Sequence, residues 1–169
     1  MAGLSRPRQA AVILLGLAGL VISSYLTYVY YTDAKPVCIV GSGCDIVQNS
    51  RYATIFGSPL ALIGMVGYAG IIGTAYGFIA PKHGGLLLYL LALAAFTLSS
   101  YLTYLETVVL AAACSYCLVS YGLITGILVV LLAPTPILTG VPWKRYRLLS
   151  LAVVAGVLTL ALASHGWAS

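Results

Sequence analysis

The sequence predicts an all-α membrane protein with five transmembrane helices. Of its 169 residues, 62% are hydrophobic and only 7% are charged, and the mean hydropathy is +1.07. A soluble domain carries about 25% charged residues, and each crossing of roughly 30 Å of hydrocarbon needs about 20 apolar residues. Five stretches of the chain reach that length. They are expected to be helical, because an open strand would leave backbone groups unpaired in lipid.

The five predicted spans form a single membrane domain, residues 1–169. The second span begins at a capping signal, because Ser58 suits the N-cap and Pro59 suits the first helical position. The join between the third and fourth spans lacks Gly and Pro, and Glu106 with Thr107 supplies its only polar break. The spans run approximately over Ala10–Tyr30, Leu60–Ala80, Leu86–Leu105, Val108–Ala133 and Leu148–Trp167.

The basic residues predict an orientation with the N-terminus inside and the C-terminus outside. Lysine and arginine near span ends collect on the cytoplasmic side. In this orientation only Lys35 and Arg51 lie outside, whereas the cytoplasmic segments hold Arg6, Arg8, Lys82, Lys144, Arg145 and Arg147. The net charge of +5 therefore follows from topology and gives no reason to expect a nucleic-acid partner.

All four cysteines then lie at or beyond the extracytoplasmic face of a multi-pass plasma-membrane protein. An even number of cysteines on that side favours disulfide chemistry. Cys38 and Cys44 lie in the long loop after the first span, where intervening glycines allow the chain to reverse tightly. Cys114 and Cys117 form a C-x-x-C motif in the early turns of the fourth span. A helix start favours the thiolate there, whereas apolar burial disfavours it.

Two cysteine pairs on one membrane face favour a redox relay. The loop pair would exchange with a soluble thiol protein and pass electrons to the helix pair by thiol-disulfide exchange. A quinone dissolved in the bilayer is the expected terminal acceptor. Two alternatives stay open: a non-catalytic scaffold braced by structural disulfides, and a zinc site formed by the four cysteines.

Three segments together resemble the bacterial and archaeal members of the vitamin K epoxide reductase family. They are CIVGSGC, CDIVQNSRYATIFGSPLALIG and CSYCLVSY, and the resemblance covers the first four spans. It implies a four-helix bundle, about residues 10–133, which surrounds a quinone and is covered by the outer loop as a lid. The fifth helix, about 148–167, follows this core.

The resemblance also implies roles for individual residues. The loop pair, Cys38 and Cys44, accepts electrons from a thioredoxin-like partner, and Cys44 matches the residue that attacks the position of Cys114. Cys117 matches the cysteine that faces the quinone. Ser50 and Tyr121 match residues that line the quinone pocket or form hydrogen bonds in it. No metal is implied.

The implied activity is DsbB-like: reoxidation of a secreted disulfide donor coupled to reduction of a menaquinone- or ubiquinone-like quinone. Many bacterial relatives carry a fused thioredoxin-like domain, whereas this chain ends at Ser169. A soluble thioredoxin-like or DsbA-like partner is therefore expected in trans. Ala53 falls where animal relatives carry asparagine, which argues against reduction of vitamin K epoxide, so this activity is kept only as the less favoured alternative. Asp45 and Arg51 are interpreted as solvated loop charges, with proton handling as the alternative.

Overall fold

The computed structural model describes residues 5–38, 43–55, 57–77, 84–132 and 143–166, and within them the chain is almost entirely helical. Three helical stretches are long and apolar enough to cross a membrane: Arg6–Tyr31, Gly84–Val109 and Ser115–Leu132. Two shorter apolar helical stretches, Leu60–Tyr76 and Arg147–Ala163, accompany them. The all-α membrane class is therefore confirmed, whereas the count of five spans and the N-in orientation stay predictions.

Six α-helices and one short strand pair account for most of the described residues. The helices are α1 (Arg6–Tyr31), α2 (Gly43–Gln48), α3 (Leu60–Tyr76), α4 (Gly84–Tyr104), α5 (Ser115–Leu132) and α6 (Trp143–Gly166). Between α2 and α3 lie a 3₁₀ turn, Arg51–Ala53, and an antiparallel pair of two-residue strands, β1 (Thr54–Ile55) and β2 (Ser58–Pro59). The predicted span ends Ala80, Ala133 and Trp167, and Lys82, lie outside the described residues.

Four of the helices pack into a closed ring, here called the helix ring. Helix α1 packs on α3 and α5, and α4 completes the ring by packing on the same two helices. Helix α6 packs on the outside, against α4. The buried core of the ring is aliphatic and aromatic, and it includes Val12, Ile71, Leu88 and Ile127.

Small residues let α1 and α3 approach closely. A side chain at Gly19 would overlap the ring of Tyr68, because a Cβ there would lie 2.2 Å from the ring carbons. A Cβ at Gly16 would lie 2.9 Å from the side chain of Ile72. In a membrane, helices associate largely through such close packing, because lipid tails are as apolar as the side chains.

The predicted boundary between the third and fourth spans is wrong by several residues. Helix α4 continues into a π-helical turn, Leu105–Val109, and an irregular stretch leads to α5, which begins at Ser115 and not near Val108. The N–H of Ala112 donates to the carbonyl of Glu106 at 2.9 Å, and Ala111 has a φ of 47°. Apolar composition alone did not reveal this turn, because every residue from 108 to 114 is compatible with a span.

The start of α3 also differs from the prediction by one residue. Ser58 and Pro59 pair with Ile55 and Thr54 in the strand ribbon, so Pro59 is the N-cap and Leu60 the first helical residue. Helix α3 ends earlier than expected, at Tyr76. Gly77 adopts a left-handed conformation, with φ of 85°, and its N–H bonds back to the carbonyls of residues 73 and 74.

The contact between Gly19 and Tyr68 predicts a destabilising substitution. Gly19→Ala should lower the unfolding temperature in detergent, because overpacking a close contact typically costs about 1–3 kcal/mol. Gly122→Ala is the matched control, since a Cβ at Gly122 meets nothing within 4 Å. The control should be neutral or slightly stabilising, because Ala is the better helix former. Equal unfolding temperatures for the two variants would contradict the packing described here.

Candidate active site

The first cysteine pair forms a disulfide just before α2. Cys38 and Cys44 are bonded, with their Cα atoms 5.9 Å apart, and the N–H of Cys44 donates to the Cys38 sulfur at 3.1 Å. Cys44 is completely buried, whereas Cys38 is half-buried. A thiolate arriving from solvent therefore reaches Cys38 more readily than Cys44.

The disulfide is seated on the start of α5 by backbone packing. A Cβ at Gly43 would lie 2.3 Å from the carbonyl oxygen of Ala113, so only glycine fits this contact. Gly43 and Ala113 immediately precede Cys44 and Cys114, and both of these cysteines are fully buried. The contact therefore brings the second cysteine of the loop to the first cysteine of the C-x-x-C motif.

Two tyrosines fasten the preceding segment to the same helix start. The Tyr116 hydroxyl donates to the carbonyl of Val37, and the N–H of Val37 donates to the Tyr25 hydroxyl at 3.2 Å. The two tyrosine rings lie 5.4 Å apart, which links α1 to α5 at this point. The residue directly before Cys38 is thus held by side chains from two helices.

The second cysteine pair is a free dithiol at the start of α5. Cys114 precedes the first helical residue and Cys117 lies in the first turn. The motif therefore straddles the helix start, whereas the prediction placed it within the early turns. A hydrogen bond from the Cys117 thiol lowers the pKa of the Cys114 thiol below its ordinary value, although burial acts in the opposite direction. Cys114 is therefore the better nucleophile of the pair.

A buried glutamate lies beside the dithiol. One carboxyl oxygen of Glu106 and the sulfurs of Cys114 and Cys117 all lie within 4.8 Å of one another. The backbone N–H of Cys114 and the sulfur of Cys117 are its nearest polar neighbours. Glu106 is only 2% exposed, and its Oε1 has no hydrogen-bond partner. Glu106 belongs to the π-helical turn. In this turn Glu106 faces inward, whereas Thr107, Val108 and Val109 are exposed.

An apolar cavity of about 320 Å³ extends from the dithiol into the helix ring. Its size falls at the lower end of the range for small-molecule pockets, about 300–1,000 Å³. Cys117 lines the cavity and Cys114 does not. The polar side chains at its wall are those of Ser23, Gln48, Ser50, Tyr52, Tyr68, Ser99, Thr103, Glu106, Tyr116 and Ser120.

The comparison with known proteins agrees with this arrangement. A model of the vitamin K epoxide reductase family matches residues 10–132, which include both cysteine pairs and all of the helix ring except the first turn of α1. The chain belongs to this family. It is also 35% identical over 109 residues to the thiol-disulfide oxidoreductase LTO1 of Arabidopsis thaliana. That match covers 58% of this chain and 29% of the relative, so the chain spans less than a third of the relative's length.

Within this member of the family, the predicted ligand-contacting residues divide into two groups. Ser50 and Cys117 line the cavity, and so does Ala53, the position at which the animal relatives were expected to differ. The Ser50 hydroxyl donates to the carbonyl of Val47 at 2.8 Å. Contact of Ser50 with a ligand stays a prediction.

Tyr121 does not line the cavity. Its ring stacks on that of Phe96 of α4, with the ring centres 5.6 Å apart. The family resemblance implied that Tyr121 lies at the quinone pocket, but the cavity follows α5 through Cys117, Ser120 and Ile124. Residues four apart share a helix face, so Tyr121 lies on the same side of α5 as Cys117 without reaching the cavity. A role for Tyr121 in holding a ligand stays untested.

Tyr68, Ser120 and Glu106 are among the cavity-wall residues that were not predicted as site residues. Tyr68 of α3 and Ser120 of α5 are hydrogen-bonded across the ring, with their hydroxyl oxygens 2.9 Å apart. Glu106 was interpreted only as a polar break between spans. Its position in the sequence could have identified it as a site residue, because an ionisable residue among membrane-spanning stretches is a functional candidate by default.

The remaining predicted alternatives also have a structural outcome. Asp45 is exposed and accepts a hydrogen bond from Asn49 at 2.9 Å, in keeping with a solvated loop charge. The sulfurs of Cys38 and Cys44 are bonded to each other, so in this state they are not thiolate ligands for zinc. Glu106, Cys114 and Cys117 would be the donors left for a metal ion.

The seating of Gly43 predicts how the two cysteine pairs communicate. Replacing Cys38 and Cys117 by serine leaves Cys44 and Cys114, which should form a mixed disulfide under mild oxidation. Adding Gly43→Ala should lower its yield severalfold, because the new methyl group pushes α2 away from the Ala113 carbonyl. Peptide mapping by mass spectrometry measures the yield, with Gly122→Ala as control. An unchanged yield with Gly43→Ala would contradict the proposed contact.

The hydrogen bond between the helix cysteines predicts a pH profile. In a background with Cys38 and Cys44 replaced by serine, alkylation of Cys114 should rise at a lower pH than for an ordinary thiol. Cys117→Ala removes the donor that stabilises the thiolate and should move this profile to higher pH. Peptide-resolved alkylation rates with a small reagent give both profiles, and Thr107→Ala, at an exposed position, is the control. A profile that stays in place in Cys117→Ala would refute the assignment.

Proposed function

We propose that this protein is a membrane thiol:disulfide oxidoreductase that supports disulfide-bond formation. It takes electrons from an extracytoplasmic thioredoxin-like protein, passes them through its two cysteine pairs and delivers them to a membrane quinone. The Arabidopsis relative is a thiol-disulfide oxidoreductase, which supports the thiol chemistry. The orientation inferred from the basic residues supports an extracytoplasmic address for the cysteines.

The observation that carries this proposal is the asymmetry of the C-x-x-C dithiol. Cys114 adjoins the backbone contact that seats the loop disulfide, and Cys117 lines the apolar cavity. One cysteine therefore faces the supply of electrons, and the other faces a chamber suited to a lipid-soluble acceptor. A purely structural disulfide gains nothing from opening onto such a chamber.

The exposure of the sulfurs gives the order of exchange. A partner thiolate attacks Cys38, the more accessible sulfur, and releases Cys44 as a thiolate. Cys44 then attacks Cys114 of an oxidised C-x-x-C pair, which releases Cys117 as a thiolate facing the cavity. A second partner thiol resolves its mixed disulfide with Cys38, and Cys38 resolves the bond between Cys44 and Cys114. The loop disulfide reforms and the helix dithiol is left reduced, which is the state in the structure.

The cavity is compatible with the head group of a menaquinone- or ubiquinone-like molecule. Its wall is mostly aliphatic, and a few polar groups, among them Ser50 and the linked pair Tyr68 and Ser120, are placed to orient carbonyl oxygens. When bound there, a quinone supplies the capacity to accept two electrons and two protons. The four-helix bundle would surround it, with the cysteine loop as lid.

Reduced partner and quinone together provide the test. The purified protein, given a reduced thioredoxin-like protein and a short-chain quinone, should consume the quinone with stoichiometric oxidation of the partner. Cys117→Ala should abolish quinone consumption, because the thiolate at the cavity is gone, whereas the control Thr107→Ala should retain it. Quinone absorbance and partner thiol content measure the two halves of the reaction.

The scaffold alternative predicts a different result. Under it, the wild-type protein oxidises no partner, and replacing the loop cysteines only lowers the unfolding temperature. Sustained quinone reduction by Cys117→Ala would also sink the relay, since no other sulfur lines the cavity among the described residues. Parallel assays with vitamin K epoxide decide whether it is a substrate of the same site.

A further inference from the structure

Glu106 lies at the cavity wall, and the burial of its carboxyl group needs a chemical explanation. It is almost completely buried. Among the buried side-chain oxygens and nitrogens of the described residues, its Oε1 is the one that lacks a hydrogen-bond partner. A polar atom left unpaired in such a place is costly, typically by about 1–3 kcal/mol. Such atoms are rare in native structures, and a catalytic or redox role is one of the recognised reasons for them.

Three other polar side chains at the cavity wall already form hydrogen bonds within the protein. The Ser50 hydroxyl donates to a backbone carbonyl, and Tyr68 and Ser120 bond to each other. Glu106, in contrast, faces the Cys117 thiol and lines the same cavity as that thiol. It therefore lies in contact with a reacting sulfur and with the space that the electron acceptor would occupy.

We propose that Glu106 is the proton-transfer residue of this site: it takes the proton of the Cys117 thiol and delivers it to the electron acceptor in the cavity. The inference rests on the proposed function and deepens it by naming the group that couples proton transfer to electron transfer. Its geometry is that of a general base next to an acid, held in place by the π-helical turn.

The helix dithiol supplies two electrons and one proton in this step. Cys114 enters as the thiolate that the exchange leaves, and Cys117 enters as a thiol after its thiolate has taken a proton from water. Formation of the bond between the two sulfurs releases two electrons to the quinone-class acceptor and the Cys117 proton to the Glu106 carboxylate. Glu106 passes this proton to the acceptor, and the second proton comes from water. The products are the Cys114–Cys117 disulfide and the reduced, doubly protonated acceptor.

A single-turnover experiment tests the kinetic part. Protein with a reduced helix dithiol is mixed with a short-chain quinone, and formation of the disulfide and the hydroquinone is followed together. Glu106→Gln should slow this step about 100-fold, the lower end of the usual range for general acid–base catalysis. Glu106→Asp should recover part of the rate, and Asp33→Asn, at an exposed carboxyl, should leave it unchanged.

The same variants separate proton transfer from a structural role. Exchange between the Cys38–Cys44 disulfide and a reduced thioredoxin-like protein does not involve Glu106, so its rate should stay within twofold of wild type in Glu106→Gln. A parallel loss of both rates would mean that the substitution disturbs the fold, and the proposal would be wrong.

An infrared experiment tests the proton directly and needs no quinone. The chain has only three acidic side chains, so Asp33→Asn with Asp45→Asn leaves Glu106 as the sole side-chain carboxyl group. Oxidising its helix dithiol with diamide removes the Cys117 S–H donor, and a protonated-carboxyl band should appear in the difference spectrum. Adding Glu106→Gln should abolish the band.

The two readouts distinguish failure of this inference from failure of the proposed function. If wild-type protein does not reduce quinone but the band appears with oxidation, the proposed acceptor is wrong and Glu106 still takes the Cys117 proton. If quinone is reduced at the same single-turnover rate by wild type and Glu106→Gln, the inference is overturned while the proposed function stands. Absence of the band on oxidation also overturns it.

Discussion

The close backbone approach of Gly43 to Ala113 is the contact on which the arrangement of the four cysteines depends. It joins two segments that are distant in sequence, and each segment carries a cysteine immediately after the contact residue. No side chain larger than hydrogen fits at Gly43, so the approach is fixed by backbone sterics and does not depend on side-chain attraction. Cys44 and Cys114 are both fully buried, so thiols in solution have little access to either of them.

A second constraint comes from the turn that ends α4. A regular α-helix through Leu105–Val109 would rotate its side chains evenly around the axis, whereas the π-helical turn inserts an extra residue per turn and redirects the chain toward α5. Glu106 is buried by this turn, while the three residues after it face outward. The irregular stretch that follows then delivers Ala113 to Gly43. The turn therefore positions both the carboxyl group and the cysteine contact.

The sequence was sufficient to predict the all-α membrane class, the approximate positions of the long helices and the grouping of the cysteines into a loop pair and a helix pair. These follow from long apolar stretches and from the spacing of four cysteines, which are local features of the chain. The start of α5 was missed because Val108 to Cys114 is apolar enough for a span, and hydropathy does not register a change in helical hydrogen bonding. Tyr121 was placed at the quinone pocket by the family resemblance, whereas its stacking on Phe96 depends on how α4 packs against α5.

Glu106 shows where reading by composition fails and where physical chemistry would have succeeded. Glu106, the single charged residue between Lys82 and Lys144, was interpreted as a break between spans, since polar residues often end spans. The cost of placing a carboxyl group at membrane depth argues for a different interpretation, because such a residue is retained only where it has something to do. Glu106 lies beside a dithiol of which one sulfur, that of Cys117, faces the cavity. Its carboxyl group adds a proton carrier, which thiol exchange by itself does not provide. Electrons can pass from sulfur to sulfur without a proton carrier, but their delivery to an acceptor in an apolar cavity requires a proton there as well.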